Sequence, residues 1–409
     1  MPMHTAPKKK TDTTRKTLTG QKLSITYPQY FTPKISRGLS ISQQCKKLTC
    51  FFSVNDNNNR SQIFIFRDSD MVIRTLFFSA LLMLIAPMYS VAADEVNVYS
   101  ARQESLIKPL LDRFTEQTGA KVNLVTGKGD ALLTRLKSEG MNSPADVLLT
   151  VDAGRLYRAQ EANVLQAVES DDLNRLIPSH LRSADNQWYG LSVRARVMVF
   201  AKDRVEANQL STYEALAESQ WKGKICVRSS SNIYNQSLVA GMIASQGMLK
   251  TEVWLKGFVD NFARPPAGGD RDQIKAVASG QCHIAVVNSY YLGGMLLSDD
   301  QAQQTAANQV ALFWPNQKDR GTHINISGAG ITQSAKNIEL AQQLIAFLAS
   351  DESQEWYAER NNEFPVREPV KVSAVLESWG PFVADKLNVS ELGHNNAAAI
   401  MAMDRAGWK

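Results

Sequence analysis

From Glu95 onward, short apolar runs of strand character alternate with stretches whose apolar residues recur every three to four positions, and this alternation constrains the fold more than any other feature. Residues 96–99 read as a strand, and 105–117 places Leu106, Leu110 and Phe114, with Ile107 and Leu111, on one helical face. A strand at 121–125, a helix at 130–139 through Leu132, Leu133 and Leu136, and a strand at 145–150 follow, and helix resumes from Asp152. Such an order implies a parallel sheet covered on both faces. A second series begins near 197–200, with a strand around Cys226, helices over 236–245 and 270–278, and a strand over 284–287. The apolar stretch 324–331 then leads into a helix at 337–349, with Leu340, Leu344, Ile345 and Leu348 inward. No repeat and no Pro/Gly linker separates the two series, which favours two lobes joined by chain crossings.

The first 70 residues differ. They hold twelve Lys/Arg against four acids, are rich in Thr, Ser, Gln and Asn, and show no sustained helical or strand period. With too little apolar surface to offset ordering entropy, they read as a disordered or non-native extension. Residues 71–93 have the three parts of a secretory signal: Arg74 near a short start, an apolar run at 76–86, and Val91-Ala-Ala93 before Asp94. Cleavage is expected after Ala93. Because a signal must lie near the translated start, Met71 is the simplest true initiator. The apolar run is shorter than the ~20 residues of a spanning helix, so an exported product not embedded in the membrane is expected.

Removing residues 1–93 leaves 316 residues with 32 basic and 36 acidic side chains. The overall charge of +5 therefore carries no case for nucleic-acid binding. The remaining cysteines, Cys226 and Cys282, lie on strand-like runs and either pair or stay as two buried thiols. A hydrolase is disfavoured: there is no Gly-x-Ser-x-Gly, no His-Glu-x-x-His and no phosphate-binding Gly loop, and the five histidines are scattered. The chain does not read as an enzyme.

Tyrosines are more informative. Tyr290-Tyr291 follow the strand at 284–287 where the chain turns, and Tyr234 lies between the Cys226 strand and the helix beginning at Gln236. Both are strand ends, the places where α/β sheets bind ligands. A lone tyrosine is usually a half-buried packing residue, and a Tyr-Tyr pair alone carries little more; the surrounding motifs give these positions their weight.

Several separated motifs, in order, resemble the periplasmic ferric-ion-binding proteins of ATP-binding-cassette importers. They are Tyr-Ser-Ala-Arg at 99–102, Thr-Val-Asp-Ala-Gly-Arg at 150–155, Tyr-Gly-Leu-Ser-Val-Arg-Ala-Arg at 189–196, Cys-Val-Arg-Ser-Ser-Ser-Asn-Ile-Tyr-Asn-Gln-Ser at 226–237 and Val-Val-Asn-Ser-Tyr-Tyr at 286–291. The resemblance runs from about Asp94 to the C-terminus. It implies an α/β, bilobal, transferrin-like clamp of the type II periplasmic-binding class, with ligand in the cleft. The lobes would be 94–193 plus about 325–370, and about 194–324 plus 371–409.

It also implies that Tyr234, Tyr290 and Tyr291 bind the metal. Many relatives carry a His where this chain has Gln103, which points to the subgroup using three tyrosines and a bound anion. Fe(III) is small, hard and highly charged and favours anionic oxygen, and three phenolates would balance it. Carbonate or a similar synergistic anion would fill the remaining positions. Arg102, whose guanidinium can fork onto such an anion, is the first candidate donor, with Asn288 and Ser231 beside it. Asp152 and Tyr99 are possible cleft residues. The expected partners are an inner-membrane ABC permease and its ATPase, served by a monomer. The alternative is a clamp for a small anion or other organic solute in the same cleft, without iron.

Overall fold

The computed structural model describes the backbone of residues 41–46, 49–55 and 61–67, and residues 94–409 in full; the signal segment 71–93 lies outside the described residues. Two units result, 1–90 and 91–409. In the first, β1 (Ile41–Lys46), β2 (Thr49–Asn55) and β3 (Ser61–Arg67) pair as an antiparallel meander. The sequence shows no sustained period there, yet Phe51-Phe52 and Ile63-Phe-Ile-Phe66 supply the β-branched and aromatic residues that favour strands.

The second unit is built on one sheet. Its strands are β4 (Glu95–Ser100), β5 (Lys121–Thr126), β6 (Val147–Val151), β7 (Tyr189–Ala201), β8 (Ile225–Cys226), β9 (Ile284–Asn288), β10 (Val310–Phe313) and β11 (Ile324–Ile331). They run in the order β5-β4-β6-β11-β7-β9-β8, with β10 also paired to β7. The sheet is mixed rather than parallel as the βαβ pattern predicts. β4 is parallel to β5 and β6, and β8 to β9, but β11 and β7 run antiparallel to their neighbours. These two are the crossing strands, and a return crossing reverses direction.

All thirteen residues of β7 are buried. Its first half, through Tyr189, Leu191 and Val193, enters a core that also holds Val96, Phe114, Leu149, Ile326 and Leu344. From Ala195 onward it serves two further clusters, one around Trp254, Phe258 and Trp408 and one around Ile274, Val287 and Met295. One core thus lies on each side of the crossing, with two clusters making the second. The tail divides between them: Val389 and Leu392 join the first core, and Ala399 through Trp408 the second. Gly328 sits where the β11–β7 register shifts, and a Cβ there would lie 2.5 Å from the Tyr189 carbonyl oxygen.

Cys226 and Cys282 form a disulfide with Cα atoms 5.9 Å apart, inside the second side. It links the segment leading to Tyr234 with the one leading to Tyr290.

Candidate functional site

The three tyrosines do not stand on loops. The helix Ile233–Gln246 begins earlier than apolar periodicity predicts, so Tyr234 lies in its first turn, where the capping Asn232 side chain accepts the Tyr234 N–H at 3.1 Å. Tyr290 and Tyr291 occupy the first turn of the helix Ser289–Leu296, which starts directly from β9. The Tyr290 hydroxyl donates to that of Tyr234 at 3.4 Å, and the Tyr290 and Tyr291 rings lie 4.3 Å apart.

Each ring is covered by a guanidinium. Arg194 lies 5.2 Å from the Tyr290 centroid, Arg228 5.6 Å from Tyr234, and Arg271 5.6 Å from Tyr291. Burial, reinforced by the Tyr234 phenol, pushes Tyr290 well above the ordinary tyrosine value, with Arg194 acting the other way. Burial likewise pushes Tyr291 up to about 12. Without a cation these two phenols keep their protons at neutral pH; a bound cation reverses that preference.

Two buried carboxylates organise the arginines. Glu363 accepts from Arg102 at 3.0 and 3.2 Å, from Arg194 Nη2 at 3.1 Å, and from the Ser192 hydroxyl. Burial opposes its charge, but Arg102 and Arg194 prevail and hold its carboxyl below the usual range. Asp270 accepts from Arg196 Nη1 at 2.7 Å, from the Asn288 N–H at 3.0 Å and from Arg228. Arg196 also donates to Asn288 Oδ1 at 3.0 Å and Asn235 Oδ1 at 2.6 Å, so one buried side chain ties together the segments bearing all three tyrosines. Four guanidiniums therefore share two ion-paired carboxylates, and Nη1 and Nε of Arg194 have no partner.

Of the residues singled out by sequence, Tyr234, Asn288 and Asp152 line one narrow cavity, together with Arg194, His323 and Asn325. Arg102 is buried, but its Nη atoms are taken by Glu363 and, at 2.6 Å, by Ser327 Oγ. Ser231 is exposed and meets Ser229 Oγ at 3.0 Å; Gln103 is exposed at the N-cap of the helix Glu104–Thr118. Tyr99 is buried on β4, its hydroxyl donating to Glu139 at 3.0 Å under Arg135. Asp152 is 1% exposed, and burial raises its carboxyl against the hydrogen bonds it receives. Sequence reasoning missed Arg194, Arg228, Arg271, Asp270 and Glu363 as parts of the site. Among the described residues no group of three or more His, Cys, Asp or Glu could hold a metal ion.

Two cores bridged by crossing strands, with convergent polar groups at strand ends between them, define a two-lobed solute-binding clamp of the type II periplasmic-binding class. The chain belongs to the bacterial extracellular solute-binding protein family, whose model matches residues 110–382. Iron uptake protein A1 of Synechocystis sp. is 48% identical over 316 residues, spanning 77% of this chain and 88% of that protein. A Trichodesmium protein (IdiA, FutA) solved in complex with iron and citrate ligands is 53% identical, with a TM-score of 0.76, and the match covers 77% of this chain and all of that one. The ferric binding protein of Campylobacter jejuni is 37% identical with a TM-score of 0.73, covering 77% of this chain and all of that one. Among the described residues no helix is long and apolar enough to cross a membrane.

Proposed function

We propose that this protein captures ferric ion in the periplasm, as a monomer, and presents it to an inner-membrane ABC permease driven by its ATPase. The observation that carries the reading is the convergence of three phenols, Tyr234, Tyr290 and Tyr291, at two neighbouring helix N-termini. Hard phenolate oxygen suits a small trivalent cation, and three phenolates balance its charge. The ion displaces the phenolic protons as it binds, because a coordinated cation lowers the pKa of its ligand. The stacked arginines then face neutralised tyrosinates, and their excess positive charge favours an added anion.

Arg194 supplies the donors for that anion, since its Nη1 and Nε are unpartnered while Arg102 is committed to Glu363. Carbonate, or a carboxylate brought with the iron, can accept a charge-assisted hydrogen bond from one of these N–H groups, Nη2 being held by Glu363. The relatives that carry iron names extend the same reading to the cargo.

Ferric citrate added to the purified protein should produce a visible tyrosinate-to-iron charge-transfer band. Tyr290→Phe and Tyr291→Phe should each weaken or abolish it and lower affinity, in buffer with and without carbonate. An unchanged spectrum and affinity in both variants would refute the assignment.

A further inference from the structure

Asp152 is only 1% exposed and, among the described residues, forms no ion pair; Asp146 shares that condition but takes its donors from Asn97 and the Lys336 N–H, whereas those of Asp152 come from both sides of the clamp. The Asp152 charge is met by neutral donors alone. Oδ1 accepts from the Gly154 N–H at 2.9 Å and the Ser237 hydroxyl at 2.8 Å, and Oδ2 accepts from Asn325 Nδ2 at 2.8 Å and Ser237 at 3.0 Å. Its backbone is also unusual. It sits at φ 80°, ψ 123°, whereas among the described residues the other four non-glycine residues with positive φ are asparagines at 52–58°, the left-handed region that Asn tolerates. A β-carbon residue held there, with an uncompensated buried carboxylate, persists only where its surroundings demand it.

Those surroundings join the two sides of the clamp. Asp152 follows β6 and caps the helix Ala153–Glu161 in the first side, while Ser237 belongs to the helix that carries Tyr234, one turn further on, in the second. Asn325 is on the crossing strand β11, and its Oδ1 accepts the Ala153 N–H at 2.8 Å, fixing the Asp152 turn against the pivot. A Cβ at Gly154 would lie 3.6 Å from Ile233 Cδ1, so the two helices meet closely at this point.

We propose that Asp152 is a positioning residue that latches the first lobe to the Tyr234 helix through Ser237, holding the clamp closed over the tyrosines. Its effect on iron retention rests on the ferric-ion reading above; its effect on lobe closure does not. The latch touches no iron ligand atom, so breaking it opens the clamp without altering the coordinating oxygens.

The test uses Ser237→Ala, Asp152→Gly, which removes the carboxylate at a backbone position glycine adopts freely, and the double variant. Each should retain the tyrosinate band with ferric citrate yet lose iron to a competing chelator roughly ten- to a hundredfold faster, the range of one hydrogen bond to a charged group. The double variant should be no worse than the more affected single one, because Ser237 has no latch partner once the Asp152 side chain is gone. Small-angle scattering of the iron-free variants should show a larger radius of gyration than the wild type. Unchanged scattering in Ser237→Ala and Asp152→Gly, or strictly additive off-rates, overturns the latch. A colourless wild type with expanded variants would instead overturn the iron reading and leave the latch supported.

Discussion

Asp270→Asn is the sharpest probe of how the tyrosine segments are held. The native carboxylate is fully buried and faces two guanidiniums, Arg196 with 1% of its side chain exposed and Arg228 with 21%. The amide keeps an oxygen for Arg196 and the Asn288 N–H, which both use Oδ1, and turns an N–H₂ toward Arg228, which uses Oδ2. Arg228 then leaves for water, which reaches it. Arg196 has no such exit and remains as a buried charge without a counter-ion. At an effective dielectric near 20, a pair about 4 Å apart is worth ~4 kcal/mol, and breaking buried pairs from one side costs ~3–5 kcal/mol. Water recovers the Arg228 share, so a loss of about 3 kcal/mol is expected for Asp270→Asn. Removing the half-exposed partner, in Arg228→Gln, should cost only about 1 kcal/mol, because Arg196 still neutralises Asp270. Urea unfolding of the iron-free protein reads both as midpoint shifts at constant slope. Equal losses for the two variants, or a loss under about 1 kcal/mol for Asp270→Asn, would refute the picture of Arg196 as a charge anchored by Asp270.

Burial, with Arg196 and Arg320 adding to it, pushes the His323 imidazole down to about 3, so unfolded chain takes up a proton below pH 6.5 that folded chain refuses. Stability from this group is therefore undiminished above pH 6.5 and falls toward pH 3, by about 1.4 kcal/mol at pH 5.5. Urea titrations at pH 7 and 5.5 should show that share vanish in His323→Gln; an identical pH slope would count against it. Replacing both Cys226 and Cys282 with Ser opens a link across a sequence separation of 56, worth about 4 kcal/mol by loop-closure entropy. Calorimetry with and without reductant should give that loss in the wild type and no reductant effect in the double variant; equal stability of the two oxidised proteins would contradict it.

Much of this molecule is written locally. Leu106, Leu110 and Phe114 announce their helix by spacing, and the motifs around Tyr234 and Tyr290-Tyr291 carry their own resemblance. Helix starts are less legible: Ile233 and Ser289 begin their helices through capping and a direct strand-to-helix junction, which apolar periodicity does not register. The charged frame is less legible still. Arg102 and Glu363 are 261 positions apart and Arg196 and Asp270 74 apart, and no spacing rule connects them. Sequence made Arg102 the anion donor because it stands beside Gln103; folding instead brings Glu363 against it and leaves free donors on Arg194.

The pivot of this clamp is β7, whose residues are hydrogen-bonded to β11 and then β10 along one edge and to β9 on the other. Rotation between lobes is thus spread as a change in sheet twist over a strand of thirteen residues, with no coil segment to order. A flexible tether loses roughly 1–2 kcal/mol of conformational entropy for every residue that closure fixes. A clamp that pivots on a strand escapes that cost. More of the binding energy then goes into retaining the cargo, and the pivot offers a protease no extended loop at any stage of opening.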